Sequence, residues 1–303
     1  MRLSAADVVH AAGLVRRMVD VPGCYVMLIK PWIVLLVTLT GMTALVIERS
    51  LLADPLRFAG VLLGIFLAAG AANALNQAWD RDIDAVMART RYKRPIPAGK
   101  VSPRGALCFS ALSGAASLWL LKTAGNALAA VLGLGAIASY AFLYTMWLKR
   151  RTSLNIVIGG AAGAAAPLIG WAAGAGKLSA VPLLMFLVIF LWTPPHFWAL
   201  ALWKKEEYAQ AAIPMLPVVA GERITRARIT AYVAALLPVT ACLGIHADFG
   251  WIFLGGTTLL GMHLVLNVIR LWRRQDQSSA QALFSFSIVY LAGVFVLMLT
   301  STL

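Results

Sequence analysis

Nine long apolar segments constrain the fold of this chain more than any other feature of its sequence. Each is close to the length of about 20 residues that an α-helix needs to cross a bilayer. Backbone polar groups within lipid must be satisfied inside the segment, so helices are the expected structure. We expect spans at about residues 27–47, 56–79, 104–121, 127–147, 155–174, 180–202, 227–246, 250–270 and 281–302.

The composition agrees with this pattern and excludes other classes of protein. Of the 303 residues, 61% are hydrophobic and 13% are charged, whereas soluble domains are roughly a quarter charged. Cys24, Cys108 and Cys242 are too few and too scattered for a disulfide framework or a zinc site. We therefore expect an all-α polytopic membrane protein, a bundle of nine transmembrane helices, and not a soluble, disordered or fibrous chain.

Positive charge marks one side of the predicted bundle. The chain carries 26 Lys and Arg against 12 Asp and Glu. With nine spans, 22 of the 26 cations fall at the N-terminal end and in the even-numbered loops, and the others are Arg49, Arg57, Lys122 and Lys177. Cytosolic loops are enriched in Lys and Arg, so we expect the even loops in the cytosol. The charge then reflects topology, and no nucleic-acid partner is expected.

The same topology predicts the location of both termini. Residues 1–26 contain basic residues but no apolar core run, which is typical of a cytosolic tail and not of a cleavable signal peptide. Residues 27–303 would form a single nine-helix domain whose C-terminus lies outside. Since no transit peptide is evident, we expect a bacterial inner membrane.

The first of two long cytosolic loops, residues 80–103, begins with a row of oxygen ligands. Asn76, Asp80 and Asp84 recur every four residues, so on a helix they fall within an arc of about 80°. Carboxylates with substrate phosphate oxygens are the usual ligands of Mg²⁺. The alternative is a solvated helix end, but a polar row ending a Gly- and Ala-rich span favours a metal–diphosphate site. Basic residues that can neutralise a phosphate follow: Arg89, Arg91, Lys93 and Arg94.

The second long loop, residues 203–226, adds a second acidic pair on the same side. It follows a span that contains Pro194 and Pro195, and prolines kink a helix and free backbone carbonyls. Alone, Glu206 and Glu207 would be typical of a solvated face. Facing the first row across a bundle, they could hold a second Mg²⁺ on a diphosphate.

His196 lies beside the two prolines, inside the sixth predicted span. An intramembrane histidine either bonds between helices or takes part in a reaction, and its position favours the two about equally. His263, in the middle of the eighth span, is better explained by a structural role. His10 and His246 carry no functional signal.

Several stretches resemble the UbiA-type intramembrane prenyltransferases, and more narrowly the heme-farnesylating branch of that family. The row of Asn76, Asp80 and Asp84 is shared by the superfamily, whereas Trp192-Thr-Pro-Pro-His-Phe-Trp198 is the most specific stretch. The resemblance covers roughly residues 25–230. The other similar stretches are Asn73–Asp84, Met87–Thr90, Tyr144–Thr152, Asn155–Gly160 and Ile213–Pro217.

The resemblance implies that a farnesyl group passes from farnesyl diphosphate to a vinyl group of heme B, giving heme O for terminal oxidases. It implies Mg²⁺ on Asp80 and Asp84, joined by Glu206 or Glu207. Downstream partners would be a heme A synthase or the assembly of a terminal oxidase, and membrane lipid would surround the bundle. The catalytic set that it implies is Asn76, Asp80, Asp84 and Glu207.

Further residues gain roles from the same resemblance. Asn76 would orient a metal, a water or a phosphate oxygen. His196 would contact heme iron or assist proton transfer, with Trp198 as a second heme-binding candidate. The cations expected to pair with diphosphate oxygens or heme propionates are Arg91, Lys93, Arg94, Lys149 and Arg150.

Two departures from the family pattern leave alternatives open. Glu206 and Glu207 stand where aspartates are usual, although their longer side chains should still reach a cation. An apparent extra residue between Thr90 and Arg94 leaves open whether Arg91, Lys93 or Arg94 has the basic role.

Two rival functions are also compatible with the sequence. Another UbiA-type enzyme would prenylate an aromatic acid, a quinone precursor or a chlorin, but the Pro-Pro-His-Phe-Trp stretch argues against it. A nine-span transporter would need polar groups through to the far side, whereas the acidic residues of both loops lie at one face.

Overall fold

The computed structural model describes residues 22–302, and this part of the chain contains helices and turns without a strand. Within it, nine helical spans are long and apolar enough to cross a membrane. The prediction of an all-α polytopic membrane protein is therefore confirmed. The spans, numbered one to nine, are Pro31–Glu48, Pro55–Trp79, Pro103–Gly125, Ala127–Arg150, Asn155–Ala175, Ala180–Trp203, Glu222–His246, Gly250–Arg274 and Gln277–Thr302.

The observed spans match the predicted ones to within a few residues, and they differ at their polar ends. The seventh begins at Glu222 and the eighth ends at Arg274, because helical hydrogen bonding continues into the headgroup region, where water satisfies polar side chains. The first begins at Pro31, since proline suits the first helical position and Lys30 is left-handed, with φ 55°. Of the predicted tail, residues 1–21 lie outside the described residues.

Contacts between loops sort the span ends into two groups. At one end, Lys30 before the first span lies 2.9 Å from Asn76 near the end of the second. At the same end, Arg226 near the start of the seventh span donates to Gln275, just after the eighth, at 3.1 Å. At the other end, Arg49 after the first span donates to the last turn of the ninth at 2.9 Å. The cation-rich loops therefore gather at one end, which we term the basic end.

Two spans near the site depart from regular α-helix, and a third contains prolines. The fourth is π-helical over Ser139–Trp147, and the fifth divides into Asn155–Gly163 and Ala166–Ala175. The sixth contains Pro194 and Pro195 within its helix. π-Helical segments occur frequently at functional sites, and the π-helical segment of the fourth span borders the polar row described below.

Small residues at the contacts between spans allow their backbones to approach closely. A Cβ at Gly170 in the fifth span would overlap the carbonyl oxygen of Gly41 in the first. Ser110 and Ser117 of the third span donate to backbone carbonyls of the second at 2.8 and 2.7 Å. Such small-residue contacts and interhelical hydrogen bonds drive association in lipid.

Candidate active site

The polar row predicted from the sequence lies on one face of a helical segment at the basic end. The second span ends at Trp79, and a short helix, Arg81–Val86, follows. The Asp80 N–H donates to the Asn76 carbonyl, and the Asp84 N–H to the Asp80 carbonyl, both at 2.9 Å. The helical register thus continues through the junction. Asn76, Asp80 and Asp84 are 2%, 0% and 2% exposed, and buried carboxylates require positive or hydrogen-bonding partners.

Asp80 is the centre of a hydrogen-bond network that joins several elements. Its Oδ2 accepts from Asn76 Nδ2 at 2.7 Å and pairs with the Lys149 ammonium at the end of the fourth span. Asn76 Nδ2 also donates to Thr145 Oγ1 at 3.3 Å, while Asn76 Oδ1 accepts from Lys30 Nζ at 2.9 Å. The other carboxylate oxygen, Asp80 Oδ1, is buried and accepts no hydrogen bond. It therefore has unused acceptor capacity.

Asp84, one turn further along, forms an ion pair with Arg94. The Thr90 hydroxyl donates to the backbone carbonyl of Asp84 at 2.9 Å and folds the loop back onto the helix. Of the three cations between which the sequence left the basic role open, Arg94 is the one that pairs with the row. Arg91 and Lys93 are exposed.

Arg150 connects the buried row to the solvent side of the same helix. Its guanidinium forms two hydrogen bonds with the Asp82 carboxylate, at 2.7 and 2.8 Å, and lies 3.8 Å from Asp80 Oδ1. The paired hydrogen bonds hold the pKa of the Asp82 carboxyl below its ordinary value. Asp82 itself is 61% exposed, so it lies on the outer face of the helix.

The π-helical part of the fourth span forms a wall beside Asn76. The rings of Tyr140 and Tyr144 lie there with their centroids 5.2 Å apart. The Thr145 hydroxyl donates to the Tyr140 carbonyl at 2.8 Å. Gly159 of the fifth span lies so close to the Tyr144 ring that a Cβ would overlap it. Gly159 therefore packs directly against the Tyr144 ring, at a position where no larger side chain fits.

The second acidic pair is divided by the structure. Glu207 Oε2 accepts from the Arg89 backbone N–H at 3.2 Å, and its Oε1 lies 3.2 Å from Lys204 Nζ. Glu206 is exposed. The two loops also share an apolar cluster, so Glu207 and not Glu206 is brought to the first loop. The cluster includes Ile83, Met87, Tyr208, Ile213 and Met215.

The donor set fits a hard cation that takes part of its ligands from a substrate. Mg²⁺ is commonly bound through one or two carboxylates, with phosphate oxygens and waters completing the shell. Asp80 and Asp84 offer such carboxylates, and Asp80 Oδ1 has acceptor capacity to spare. No group of three or more Asp, Glu, His or Cys side chains within residues 22–302 could enclose a metal. The site thus fits Mg²⁺ held jointly with a phosphate-bearing ligand, and not an all-protein cage.

His196 lies in an aromatic stack between the sixth and ninth spans. Its ring stacks on Trp192 and Phe284, with centroids 4.4 and 4.5 Å apart. The Ser287 hydroxyl donates to the Phe284 carbonyl at 2.6 Å, so the 2.7 Å contact between His196 Nδ1 and Ser287 Oγ requires Nδ1 to carry the proton. Nε2 then keeps its lone pair.

Trp198 does not share this environment. Two residues further along a helix, it points about 200° away from His196. Its fully buried ring contacts the edge of Tyr232 in the seventh span, with centroids 5.4 Å apart. The two residues predicted to bind heme thus lie on different faces of the sixth span.

Sequence reasoning missed Lys30, Thr145, Tyr140 and Tyr144. Lys30 is one of the 22 cations that the sequence assigns to the cytosolic side, and nothing in its sequence context links it to the row. Tyr140 and Thr145 are five residues apart, and a period based on 3.6 residues per turn does not place them together. Their proximity depends on the π-helix, which no pattern in the sequence predicts.

These features define the class of protein: a polytopic α-helical membrane protein with a buried site of acids, an amide and bases at one end of its bundle. The model of the UbiA prenyltransferase family matches residues 34–291 of this chain. The chain belongs to the UbiA prenyltransferase family.

Known proteins resemble the chain in sequence and in fold. A protoheme IX farnesyltransferase from Symbiobacterium thermophilum is 46% identical over 278 residues, which are 91% of this chain and 92% of that protein. A solved UbiA homologue from Archaeoglobus fulgidus, bound to DMAPP and Mg²⁺, has a TM-score of 0.66 at 16% identity and covers 90% of this chain and 98% of its own. A structure from work on digeranylgeranylglyceryl phosphate synthase in membranes has a TM-score of 0.77 at 19% identity, covering 93% and 99%. At these identities the two structures support the fold alone.

Proposed function

We propose that this protein transfers the farnesyl group of farnesyl diphosphate to a vinyl group of heme B in a Mg²⁺-dependent reaction, with water adding the hydroxyl of heme O. The observation that carries the proposal is a buried row of Asn76, Asp80 and Asp84, paired with cations, in a chain 46% identical to a protoheme IX farnesyltransferase. The row supplies the ligands that a metal–diphosphate substrate needs.

The residues of the row and its neighbours have distinct tasks in this proposal. Asp80 and Asp84 hold the cation, and Glu207 is the candidate metal ligand from the second loop. Metal binding by the exposed Glu206 stays a prediction from the sequence. Bound Mg²⁺ neutralises the charge that develops on the leaving diphosphate. The cations that bind the remaining phosphate oxygens are Arg94, Lys149 and Arg150, with Arg91 and Lys93 as further predicted contacts.

Tyr140 and Tyr144 have a task that follows from their position. Departure of the diphosphate leaves an allylic cation, which bulk water would quench. The two aromatic rings beside the row exclude water from that side and present π-faces that attract a cation. Gly159 keeps the Tyr144 ring in place.

The acceptor would be bound beside the sixth span. A histidine whose Nδ1 donates a hydrogen bond while Nε2 stays unprotonated has the arrangement of a metal ligand. His196 is accordingly our candidate for contact with heme iron, and proton transfer is its alternative role. Heme binding by Trp198 stays a prediction from the sequence.

The location follows from the charge pattern. The basic end would face the cytosol of a bacterial inner membrane, with the N-terminus cytosolic and the C-terminus outside. Residues 27–303 would act as one catalytic domain, and the product would pass to a heme A synthase or a terminal oxidase.

Incubation of the purified protein with farnesyl diphosphate, Mg²⁺ and heme B, followed by mass spectrometry, tests the proposal. We expect heme B to gain a farnesyl group and a hydroxyl only when all three components are present. A parallel reaction with 4-hydroxybenzoate tests the rival acceptor. Unchanged heme together with prenylated 4-hydroxybenzoate would refute the proposal.

A further inference from the structure

Lys30 contacts the buried row from the segment that precedes the first span. Its Nζ lies 2.9 Å from Asn76 Oδ1, and its backbone is left-handed, with φ 55°. Such a conformation is unfavourable for a non-glycine residue and persists where surrounding contacts impose it. The placement of Lys30 therefore needs a structural cause.

Two contacts hold the Lys30 segment against the second span. Gln77 Nε2 donates to the carbonyls of Met27 and Leu28 at 3.1 and 2.8 Å, immediately before the left-handed turn. Apolar side chains of the same segment are buried in a cluster with the second and third spans and the loop between them: Cys24 and Leu28 against Ala74, Ala78, Ile96, Val101 and Ala106. Because Gln77 follows Asn76 in sequence, the residue that anchors the segment adjoins the residue that Lys30 contacts.

Lys30 and Asp80 together set which way the Asn76 amide faces. A lysine ammonium only donates hydrogen bonds, so it selects the amide oxygen of Asn76. The NH₂ group then faces Asp80 Oδ2 at 2.7 Å and Thr145 Oγ1 at 3.3 Å. In the flipped amide, NH₂ would face the ammonium and the oxygen would face the carboxylate, and both contacts would be repulsive.

The orientation of Asn76 in turn determines which oxygen of Asp80 is available. Oδ2 accepts from Asn76 and pairs with Lys149, while Oδ1 is buried without a hydrogen bond. Partners that orient a metal-binding carboxylate affect metal affinity even though they do not touch the metal.

We infer that Lys30 is a positioning residue of the prenyl-transfer site, which fixes the Asn76 amide and through it the Asp80 carboxylate that receives the cation. The inference rests on the proposed use of Asp80 as a Mg²⁺ ligand. It assigns Lys30 no direct contact with the substrate. Lys30 and Asn76 should therefore act as a unit, and the effects of their substitutions should not add.

A double-mutant cycle tests this unit without heme and without turnover. The quantity measured is the Mg²⁺ concentration that gives half-maximal binding of farnesyl diphosphate. Binding is measured by isothermal titration calorimetry in detergent. The variants are Lys30→Met, Asn76→Ala, the double variant and Lys30→Arg. Lys177→Met, which removes an exposed lysine at the opposite end, is the matched control for loss of positive charge.

We expect Lys30→Met and Asn76→Ala each to raise that Mg²⁺ concentration by about 10–100-fold. The double variant should be no worse than Asn76→Ala alone, since the contact is already lost. Lys30→Arg should retain most of the affinity for Mg²⁺ because arginine still donates a hydrogen bond to Asn76 Oδ1. Lys177→Met should match the wild type. Lys30→Gln, whose shorter side chain does not reach Asn76, replaces Lys30→Met if that variant does not fold.

Two results would overturn the inference. Additive losses in the double variant would mean that Lys30 binds the diphosphate independently of Asn76. An unchanged Mg²⁺ requirement in folded Lys30→Met or Lys30→Gln would mean that Lys30 does not position Asn76 and contributes only to the charge of the basic end. Because heme is absent from the assay, failure of heme farnesylation would refute the proposed function and leave this test unaffected.

Discussion

Asp80, Asp82 and Asp84 lie within five residues of one another, yet their environments predict opposite results on substitution. We expect Asp80→Asn and Asp84→Asn each to lower kcat by at least about a hundredfold, because a neutral amide lacks the negative charge of the carboxylate and binds Mg²⁺ more weakly. Asp82→Asn should stay near wild-type activity, since Asp82 is 61% exposed on the outer face. Steady-state rates with heme B, alongside melting temperatures, would check this.

Wild-type turnover in either Asp80→Asn or Asp84→Asn at ordinary Mg²⁺ concentration would contradict the metal site. A large loss in Asp82→Asn would mean that the pair with Arg150 also orders the row. The three variants therefore separate the buried face of this helix from its solvent face.

Glu206 and Glu207 form a second matched pair of neighbouring acids. Glu207 joins the two loops through the Arg89 N–H and Lys204, whereas Glu206 is exposed. We expect Glu207→Ala to lower kcat by about 10–100-fold, as is usual when a group that supports a metal site is lost. Glu206→Ala should change it less than about twofold, within the usual small effect of exposed substitutions. Equal effects of the two would contradict the division that the structure makes.

Some residues of this site are predictable from the sequence and others are not. The spacing of Asn76, Asp80 and Asp84 predicted their shared face, because helical periodicity carries that information. It did not choose among Arg91, Lys93 and Arg94, since the loop geometry that brings Arg94 to Asp84 follows no period. Lys30 was missed because its role depends on a left-handed turn and on tertiary docking by Gln77.

At the level of helices, the fifth span contains a glycine that is required and another that is not. A Cβ at Gly159 would overlap the Tyr144 ring, whereas a Cβ at Gly163 would meet nothing within 4 Å. We expect Gly159→Ala to destabilise the protein by about 1–3 kcal/mol through overpacking and to reduce activity by displacing Tyr144. Gly163→Ala should be neutral or stabilising by up to about 1 kcal/mol. Thermal unfolding in detergent compares the two directly.

Contact between the sixth and ninth spans gives a test of His196. Ser287 fixes the His196 tautomer, while Ser285, two residues earlier, is exposed. We expect Ser287→Ala to weaken heme B binding by about 10-fold, in line with the loss of a group that orients a metal-binding histidine. Ser285→Ala should have no effect. Absorbance titration with heme B measures both, and unchanged binding in both Ser287→Ala and His196→Ala would return His196 to a structural role.

The elements themselves were largely predictable, and the exceptions have physical causes. Nine apolar segments of sufficient length predicted all nine spans, since lipid leaves few alternatives to a helix. The π-helix of the fourth span follows no pattern in the sequence. The division of the fifth falls just before Pro167, whose missing N–H and ring interrupt a helix. The prolines of the sixth span predicted a kink, and the structure keeps both of them within one helix, Ala180–Trp203.

For the whole molecule, the distribution of charge predicts an orientation that can be measured. The cation-rich loops meet at the basic end, and the residues at the other end carry few cations, as the 22-to-4 division in the sequence requires. Because basic loops are retained in the cytosol, a cysteine placed at Ala98 should be cytosolic and one placed at Lys177 external. Both positions are exposed, so a membrane-impermeant maleimide can reach them.

In a background with Cys24, Cys108 and Cys242 replaced by serine or alanine, we expect Lys177→Cys to react in right-side-out vesicles. Ala98→Cys should react only in inverted vesicles or after permeabilisation. The reverse labelling would place the Asp80 site outside the cell, away from a cytosolic supply of farnesyl diphosphate, and would contradict the proposed function. Labelling of both positions from one side would contradict an odd number of spans between residues 98 and 177, and with it the arrangement of the third, fourth and fifth spans.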